Sequence, residues 1–578
     1  MQSHWVKKLQ NWLAKIETLR LRSRPCMITL KFSNAFKDKL LTIFSMVCIV
    51  SVGVFLRFYN LNWDNYSIFH PDERNIANAV TQIHFFTNLN PHFFAYGGFS
   101  IYLYRAAIDI LVWITHDTQW AMDWGHINIV GRFFSAFFSI LTIFPLYFLA
   151  KKLFNSLTAI LSVSFFVFCV SSIQMAHFAV TESLLTCEGI LLALLALWIF
   201  EKPTISKILI TGIVFGIALA TKTSALSLGI MPFLGVLFAL WKRRVKTYHA
   251  PLLFLLFCIV SGTFFFLFSP YTILDSKHFL ESMQYESGVA TGSLPVVYTL
   301  QFNHTIAYVF QLTNMVWQIG PLIPFASIGF LLYLFVGLKT KRFSLLIFLA
   351  FPLIYFAYVG SWHTKFIRYM MPIIPFLLII GSGLLISLRE KKLLAGNILI
   401  TILVLTTNLW AVAFFSIYTR PQTRIAGSYW IYNHIPYGSK ILTEQWDDGL
   451  PVGLGSYSPS LYASEGMAIY DADNAQKRLY YATTLASADY IVLNSRRLYG
   501  TLIHLKDQYP LTSIYYTYLF AGKLGYKEVA TFASYPSLFG LTINDDASEE
   551  TFQVYDHPKV RIFQNIKHFS AEQLLHIL

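Results

Sequence analysis

Long apolar stretches separated by short polar segments dominate the chain. A transmembrane helix needs about 20 apolar residues to cross the hydrocarbon core of a bilayer, and eleven stretches approach or reach that length. They lie at about 40–58, 132–150, 154–176, 183–200, 207–221, 224–241, 250–268, 318–338, 343–360, 370–388 and 393–416. The pattern predicts a polytopic α-helical membrane protein with about eleven transmembrane helices.

Basic residues predict which way the chain crosses the membrane. Residues 1–39 hold nine Lys and Arg against two acids, and basic clusters follow every second apolar stretch. These clusters lie at 151–152, 202–207, 242–246, 339–342 and 389–392. Because lysine and arginine are enriched in cytoplasmic loops, we expect the N-terminus in the cytoplasm and the loops without such clusters on the outer side.

Residues 99–116 are apolar but are not predicted to span. Arg105 and Asp109 lie in the middle of this segment, and each charge costs about 3 kcal/mol at the bilayer centre. An in-plane, partly buried helix is therefore expected. The outer loops are then 59–131, 269–317 and 361–369.

The last part of the chain differs in composition from the rest. Residues 417–578 are polar, with short β-like runs such as 488–493 and a turn signal at 436–439. We therefore expect three parts: a basic cytoplasmic segment at 1–39, a membrane core at 40–416, and an extracytoplasmic mixed α/β domain at 417–578.

The composition excludes several classes of protein. Hydrophobic residues make up 55% of the 578 residues and charged residues only 13%, with a mean hydropathy of +0.53, whereas a soluble chain has about 25% charged residues. A soluble enzyme, a disordered protein and a fibrous protein are thereby ruled out. The net charge of +14 fits cytoplasmic loops better than a nucleic-acid interface. The five cysteines show no CxxC spacing, so neither a zinc site nor a disulfide framework is predicted.

The first outer loop contains the segment His70-Pro71-Asp72-Glu73. A proline followed by two acids is typical of a helix N-terminus, and this local role is sufficient to explain the pattern. The same position also suits a carboxylate held at the membrane surface as a general base. The two interpretations are compatible, because a helix N-terminus holds a side chain in one orientation.

Further charged groups collect at the outer ends of the predicted spans. Glu182 begins one span and Lys222 ends another, where helix capping and snorkelling are the simplest interpretations. Glu188 lies deeper and on a different face of its helix, so we expect a satisfied interior acid. Lys365 and Arg368 share a nine-residue outer loop. Cations gathered from separate outer loops predict an anionic ligand on that side.

The order of these segments resembles the GT-C superfamily of membrane glycosyltransferases, in particular the relatives of protein O-mannosyltransferases and of lipid A aminoarabinose transferases. The resemblance covers about residues 40–390. It rests on HPDE at 70–73, GRFFSA at 131–136, TE at 181–182, GIALATK at 216–222, SPY at 269–271 and FIRYMMP at 366–372.

This resemblance implies the transfer of a sugar from a polyprenyl-phosphate carrier to an acceptor hydroxyl at the outer face of the membrane. It implies that Asp72 is the catalytic carboxylate and general base, with the acids Glu73 and Glu182 in the same site. The residues that it implies for binding the donor phosphate are Lys222, Arg368, Tyr369 and Tyr271.

One segment departs from the superfamily pattern. Aminoarabinose transferases show Glu-Lys-Pro-Pro after the first-loop helices, where this chain reads FAYGG at 94–98, so a metal or phosphate contact made by that run is not expected. No metal ligand is assigned, and the sequence leaves open whether a divalent metal ion is a cofactor. The expected partners are the lipid-linked donor, membrane lipids and an acceptor protein, lipopolysaccharide or glycan, but no nucleic acid.

We expect an integral protein of a bacterial inner membrane, with its active site and residues 417–578 on the periplasmic side. The alternative is a polytopic transporter or a flippase of the lipid carrier. Such proteins tend to have broken, polar helices near the membrane midplane. Here the ionisable groups gather at the ends of the spans, apart from Glu188, which favours the transferase.

Overall fold

The computed structural model describes residues 34–246 and 248–578, and helices predominate within them. The helices, numbered α1 to α24 in chain order, are Asn34–Phe58, Pro71–Gln82, Gly98–Thr115, Gln119–Met122, Trp124–Leu141, Ile143–Leu153, Ser156–Val167, Val170–Ala176, Glu182–Glu201, Ile205–Thr221, Ile230–Trp241, His249–Phe268, Tyr271–Leu274, Ser276–Thr291, Val309–Ile319, Ile323–Thr340, Phe343–Val359, Ile374–Lys391, Leu393–Phe415, Thr423–His434, Ala475–Ser487, Tyr499–Leu502, Pro510–Phe520 and Ala571–Ile577. Short 3-10 helices lie at Thr223–Gly229, Val297–Phe302, Gly320–Leu322, Ile367–Ile373, Ser416–Thr419, Pro459–Leu461 and Glu550–Phe552. The strands β1 to β7 are Lys440–Glu444, Ala463–Met467, Tyr490–Leu493, Tyr526–Phe532, Ser537–Leu538, Leu541–Thr542 and Val560–Asn565.

Contacts divide the chain into two compact units, 1–48 and 49–578. In the first unit the structure describes the helical residues 34–48, so most of the basic segment predicted at 1–39 lies outside the described residues. The second unit contains all of the candidate site residues. The predicted boundary between 416 and 417 stays a prediction.

Within the described residues, eight helical segments are long and apolar enough to cross a bilayer, and α7 and α8 add a ninth if this pair, bent by 53°, is one span. Shorter apolar helices are Ile43–Phe58, α10 and α17. Apart from α3, these segments coincide with the eleven apolar stretches of the sequence. The prediction of a polytopic helical membrane protein is therefore confirmed.

Helix α3 has the length and apolarity of a span, although the sequence predicted an in-plane helix. Its charges, Arg105 and Asp109, form an ion pair one turn apart, with Nε and Oδ1 separated by 2.9 Å. Pairing of this kind reduces the cost of charges in apolar surroundings. The helix packs against α2, α5, α10 and α12, and its in-plane placement stays a prediction.

The C-terminal part contains a five-stranded sheet in the order β2-β1-β3-β7-β4. Strand β1 runs parallel to β2 and β3, whereas β7 runs antiparallel to β3 and β4. The core packed against it is rich in tyrosine and leucine, including Tyr481, Leu485 and Tyr515. The predicted mixed α/β structure of this part is confirmed, and its turn forms as expected, with Gly438 at φ +86°.

Antiparallel packing brings the functional segments to one end of the helix bundle. Helix α9 begins at Glu182 and α10 ends at Thr221, so Lys222 follows directly. Because α9 and α10 pack side by side, the start of one lies near the end of the other. The 3-10 helix Ile367–Ile373 also packs against α9 and brings Arg368 to this end. The helix starts predicted at Pro71 and Glu182 are confirmed.

Candidate active site

A cavity of about 570 Å³ lies at this end of the bundle, which is within the range of about 300–1,000 Å³ typical of small-molecule sites. Its charged lining residues are Asp72, Glu182, Lys222, Glu286 and Arg368. Its aromatic lining residues are Phe93, Tyr96, Tyr355, Tyr358, Trp362 and Tyr369. The cavity thus brings together most of the site residues predicted from the sequence, apart from Glu73 and Tyr271.

The start of helix α2 holds Asp72 in place. Pro71 is the first residue of the helix, and the residue before it, His70, is the N-cap. The His70 Nδ1 atom accepts a hydrogen bond from the Asp72 backbone N–H at 3.2 Å. Proline at this position has a fixed φ suited to a helix, so the backbone that bears the Asp72 side chain is well determined.

Both contacts of the Asp72 carboxylate fall on one of its oxygens. Oδ2 lies 3.0 Å from the Arg368 guanidinium and accepts a hydrogen bond from the Tyr96 hydroxyl at 2.9 Å. Within the described part of the chain, Oδ1 has no such partner. Burial would raise the pKa of the Asp72 carboxyl, but the Arg368 charge and the other neighbours outweigh burial and hold this pKa below its ordinary value. The carboxylate is therefore ionised and presents a free oxygen.

A second ion pair also lines the cavity. Lys222 Nζ donates to Glu182 Oε1 at 2.9 Å and lies 5.0 Å from the centre of the Tyr96 ring. The other Glu182 oxygen is buried and, among the described residues, has no hydrogen-bond partner. An ammonium group has three donors, so Lys222 can also donate to an anion bound in the cavity.

The Arg368 guanidinium lies among aromatic rings. It is 4.9 Å from the ring centre of Phe366 and 5.8 Å from that of Tyr369. Its Nε is buried and has no hydrogen-bond partner in the part of the chain that the structure describes. Arg368 lines the cavity, and the fork of a guanidinium is well suited to a phosphate oxygen.

Glu73 does not line the cavity. Both of its oxygens accept hydrogen bonds from Arg132, at 2.8 and 2.6 Å, and one also accepts the Ala179 N–H at 2.6 Å. Arg132 pairs in addition with Asp64 at 2.7 Å, and all three charged side chains are buried. Glu73 therefore forms a buried structural ion pair that links α2 to α5, and it does not join Asp72 in the cavity.

Three further residues singled out in the sequence also lie outside the cavity lining. Tyr271 is the first residue of α13. Lys365 is buried, and its Nζ donates to the His363 carbonyl at 2.7 Å. One Glu188 oxygen accepts from the Thr221 hydroxyl at 3.0 Å, whereas the other is buried without a partner among residues 34–246 and 248–578. Glu188 is thus an interior acid, as predicted, but only half satisfied.

Sequence reasoning missed Tyr96, which touches both ion pairs of the cavity. The Gly97-Gly98 pair that follows it permits a close approach to the end of α10, because a Cβ on Gly97 would lie only 1.9 Å from the Ala220 carbonyl oxygen. The Gly97 N–H donates to the Thr221 carbonyl at 3.0 Å. Two adjacent glycines in the segment that departs from the superfamily pattern were the signal that could have indicated this contact.

Glu286 is the one charged residue of the cavity lining that no sequence motif marked. It lies on α14, within the loop predicted at 269–317, and its side chain lines the cavity. The ion pairs of the described residues include Asp72 and Glu182 but not Glu286. Partial burial, followed by the negative charge of Asp72, raises the pKa of the Glu286 carboxyl. Glu286 is therefore free to contact a bound molecule.

The cavity does not provide a conventional metal site. Among residues 34–246 and 248–578, no group of three or more His, Cys, Asp or Glu side chains could hold a metal ion. Asp72 and Glu182 each already pair with a cation of the chain.

Comparison with known families adds an independent observation. A sequence model of the family described as dolichyl-phosphate-mannose-protein mannosyltransferase matches residues 110–272. No curated protein sequence matches the chain.

Solved structures show the same fold. The archaeal oligosaccharyltransferase AglB from Archaeoglobus fulgidus, in complex with an inhibitory peptide and a dolichol-phosphate, has a TM-score of 0.52 at 13% identity, covering 88% of this chain and 75% of that one. The A. fulgidus oligosaccharyltransferase tethered to an acceptor peptide with the NVT sequon has a TM-score of 0.51 at 12% identity, covering 92% and 89%. At these identities the likeness shows the fold alone.

A third structure is less similar. ArnT from Cupriavidus metallidurans, bound to undecaprenyl phosphate, has a TM-score of 0.43 at 14% identity, covering 68% of this chain and 72% of that one. The structural likeness therefore depends on the oligosaccharyltransferase structures.

Proposed function

We propose that this chain, a membrane glycosyltransferase of the GT-C superfamily, moves a sugar from a polyprenyl-phosphate donor to an acceptor hydroxyl at the outer face of the membrane. The observation on which the proposal depends is the single cavity that holds Asp72 and Glu182 together with Lys222 and Arg368. A reaction of this kind needs a base for the hydroxyl and cations for the leaving phosphate. The cavity supplies both.

Asp72 acts as the general base in this proposal. Its Oδ2 is held by Arg368 and Tyr96, which leaves Oδ1 to accept the proton of the acceptor hydroxyl. The acceptor oxygen then forms a bond to the anomeric carbon while the bond from that carbon to the phosphate oxygen breaks. A single displacement of this kind inverts the anomeric configuration, because the oxygen attacks opposite the phosphate.

Lys222 and Arg368 stabilise the departing polyprenyl phosphate. Each pairs with a carboxylate of the cavity, at 2.9 and 3.0 Å respectively. A phosphate that enters the cavity shares these cations, and hydrogen bonds to charged groups contribute about 1.5–3 kcal/mol each. Tyr369 lines the same wall, and Glu286 is left free to contact the acceptor or the sugar.

The distribution of basic residues also orients the protein in the membrane. We place it in a bacterial inner membrane with the cavity and residues 417–578 on the periplasmic side, because every basic loop cluster then faces the cytoplasm. Cysteines introduced at Ser439 and Ser464 should react in spheroplasts with a membrane-impermeant maleimide. Protection of both positions would contradict this orientation.

The test of the function compares cells with the gene, without it, and with an Asp72→Asn copy. Mass spectrometry of surface glycans, lipids and glycoproteins should show one sugar missing from one class of acceptor in the latter two strains, with the polyprenyl-phosphate sugar accumulating. Purified protein in detergent should transfer that sugar from the isolated donor. Unchanged surface glycans together with no transfer in vitro would refute the proposal. Loss of every glycan that depends on the same carrier would instead indicate a flippase.

A further inference from the structure

We propose, as an inference that rests on the proposed function, that residues Glu549–Tyr555 of the C-terminal domain position both members of the Asp72–Arg368 pair. We call these residues the clamp segment. The C-terminal domain is then part of the active-site scaffold and sets the geometry of the chemical step, in addition to any role in acceptor recognition. Tyr555 and Glu549 are positioning residues, since they act through their neighbours and do not line the cavity.

The first contact of the clamp segment is with the residue that caps the helix of the base. The Tyr555 ring lies 4.1 Å, centre to centre, from the ring of His70, and both side chains are buried. His70 is the residue whose Nδ1 accepts the Asp72 N–H. Packing by Tyr555 therefore holds the ring that caps α2, and with it the backbone from which the Asp72 side chain extends.

The second contact is beside the cation. Glu549 Oε2 accepts the backbone N–H of Ile367 at 3.1 Å, and Ile367 directly precedes Arg368. The Glu549 backbone N–H in turn donates to Asn314 Oδ1 at 2.8 Å. Glu549 is itself buried, so this hydrogen bond lies in surroundings where it is stronger than in water.

A buried charge cluster anchors the end of the clamp segment to the helix bundle. His557 lies between Asp545 and Asp556, at 2.7 and 2.5 Å. Burial lowers the pKa of His557, but the two carboxylates outweigh burial and raise it to about 10, so the ring stays charged. Asp556 also accepts hydrogen bonds from Tyr418 at 2.8 Å and Gln174 at 3.1 Å. The segment is therefore tied to α8 and to the end of the last span.

The clamp segment sets a distance that matters for catalysis. Asp72 and Arg368 are far apart in sequence, and their 3.0 Å contact exists only if α2 and the 3-10 helix at 367–373 are held together. A misplacement of about 1 Å in a reacting group costs about a hundredfold in rate. Loosening this pair also removes the interaction that lowers the pKa of Asp72.

The experiment uses the full-length enzyme with Tyr555→Ala and Glu549→Ala, each paired with a conservative variant, Tyr555→Phe or Glu549→Gln. Tyr437→Ala, an exposed tyrosine of the same domain, is the matched control. Each protein is assayed for thermal stability, for kcat and KM with the native donor, and for the pH profile of kcat/KM.

The pH profile must report on Asp72 alone. The charged and titratable groups that act on Asp72 are His70, Tyr96, Lys222, Glu286, Arg368, Tyr369 and Tyr555. Of these groups, we expect Glu286 to add a second fall in kcat/KM at low pH, because the pKa of its carboxyl is raised. The profiles are therefore recorded in a Glu286→Gln background as well as in the native one.

We expect the two alanine variants to lose about ten- to a hundredfold in kcat, with donor KM changed less than about threefold. The acidic limb of their pH profile should move to higher pH, because the pKa of Asp72 rises when Arg368 withdraws. Tyr555→Phe keeps the ring and Glu549→Gln keeps an acceptor oxygen, so both should retain most activity and the wild-type profile, as should Tyr437→Ala.

Three results would overturn the proposal. They are a wild-type kcat and pH profile in both alanine variants, a loss of folded protein with no change in the profile of the remainder, and a change confined to acceptor KM. Absence of transfer by the wild-type enzyme would refute the proposed function itself, which distinguishes the two failures.

Discussion

Replacing Asp72 with asparagine tests the proposed base with little disturbance of the cavity. Both contacts of the carboxylate fall on Oδ2, from Arg368 and Tyr96. An asparagine oxygen in that place can accept both hydrogen bonds, and the amide nitrogen then replaces the free Oδ1. The side-chain volume is preserved, so the substitution removes the proton acceptor and the negative charge while retaining the architecture.

The two losses affect different kinetic constants. General-base catalysis typically contributes about 10²–10⁴-fold, so kcat should fall by that factor, equivalent to about 3–5 kcal/mol. Loss of the negative charge also frees Arg368 from its ion pair, so the donor phosphate meets an uncompensated guanidinium. The donor KM should therefore stay constant or decrease, a combination that unfolding would not produce.

The assay is transfer from purified donor in detergent at equal protein concentration, with Glu281→Gln as a control because Glu281 is exposed and does not line the cavity. Glu73→Gln is the informative comparison. It disrupts the buried Arg132 pair, and breaking such a pair costs about 3–5 kcal/mol of stability, so the yield of folded protein should fall. Wild-type kcat in Asp72→Asn would refute the assignment, and loss of kcat in folded Glu73→Gln alone would move the base by one residue.

Three further outcomes are expected. Lys222→Ala should weaken donor binding or turnover by about ten- to a hundredfold, as the loss of a charged hydrogen bond to phosphate implies. An unchanged donor affinity by titration and an unchanged kcat would indicate that Lys222 serves only its ion pair with Glu182. Glu286 has a raised pKa and would contact the acceptor as a carboxylate. Activity should therefore fall as the pH decreases through the pKa of Glu286, which lies above the ordinary pKa of a glutamate. Glu286→Gln should abolish this fall in activity, whereas Glu281→Gln should retain it. Gly97→Ala places a Cβ 1.9 Å from a backbone oxygen, whereas Gly262→Ala meets nothing within 4 Å, so only the former should lower the melting temperature and the donor affinity.

Much of the fold was predictable because the signals are local in the sequence. A run of apolar residues long enough to cross a bilayer is a property of contiguous positions, so the stretches at 40–416 coincide with the helices of the structure. The helix starts at Pro71 and Glu182 were predictable for the same reason, since capping residues are neighbours in the chain. The resemblance to GT-C enzymes depended on the order of such short motifs.

The roles within the site were less predictable. Asp72 and Glu73 are adjacent, and on a helix successive residues point about 100° apart. Sequence reasoning put both in the site, whereas packing turns Asp72 into the cavity and Glu73 towards Arg132. Tyr271 shares a motif with Ser269 and Pro270 but lies outside the cavity, because no local signal states which way a loop residue faces.

Local patterns were enough to predict a multispan membrane protein with a mixed α/β C-terminal part, since hydrophobicity, charge bias and turn residues act over a few neighbouring positions. Which groups meet depends on packing. Glu286 reaches the cavity from helix α14, and Tyr555 contacts His70 from the far end of the chain. Contacts of this kind arise when helices pack against one another and against the sheet domain, and a one-dimensional pattern does not specify that packing.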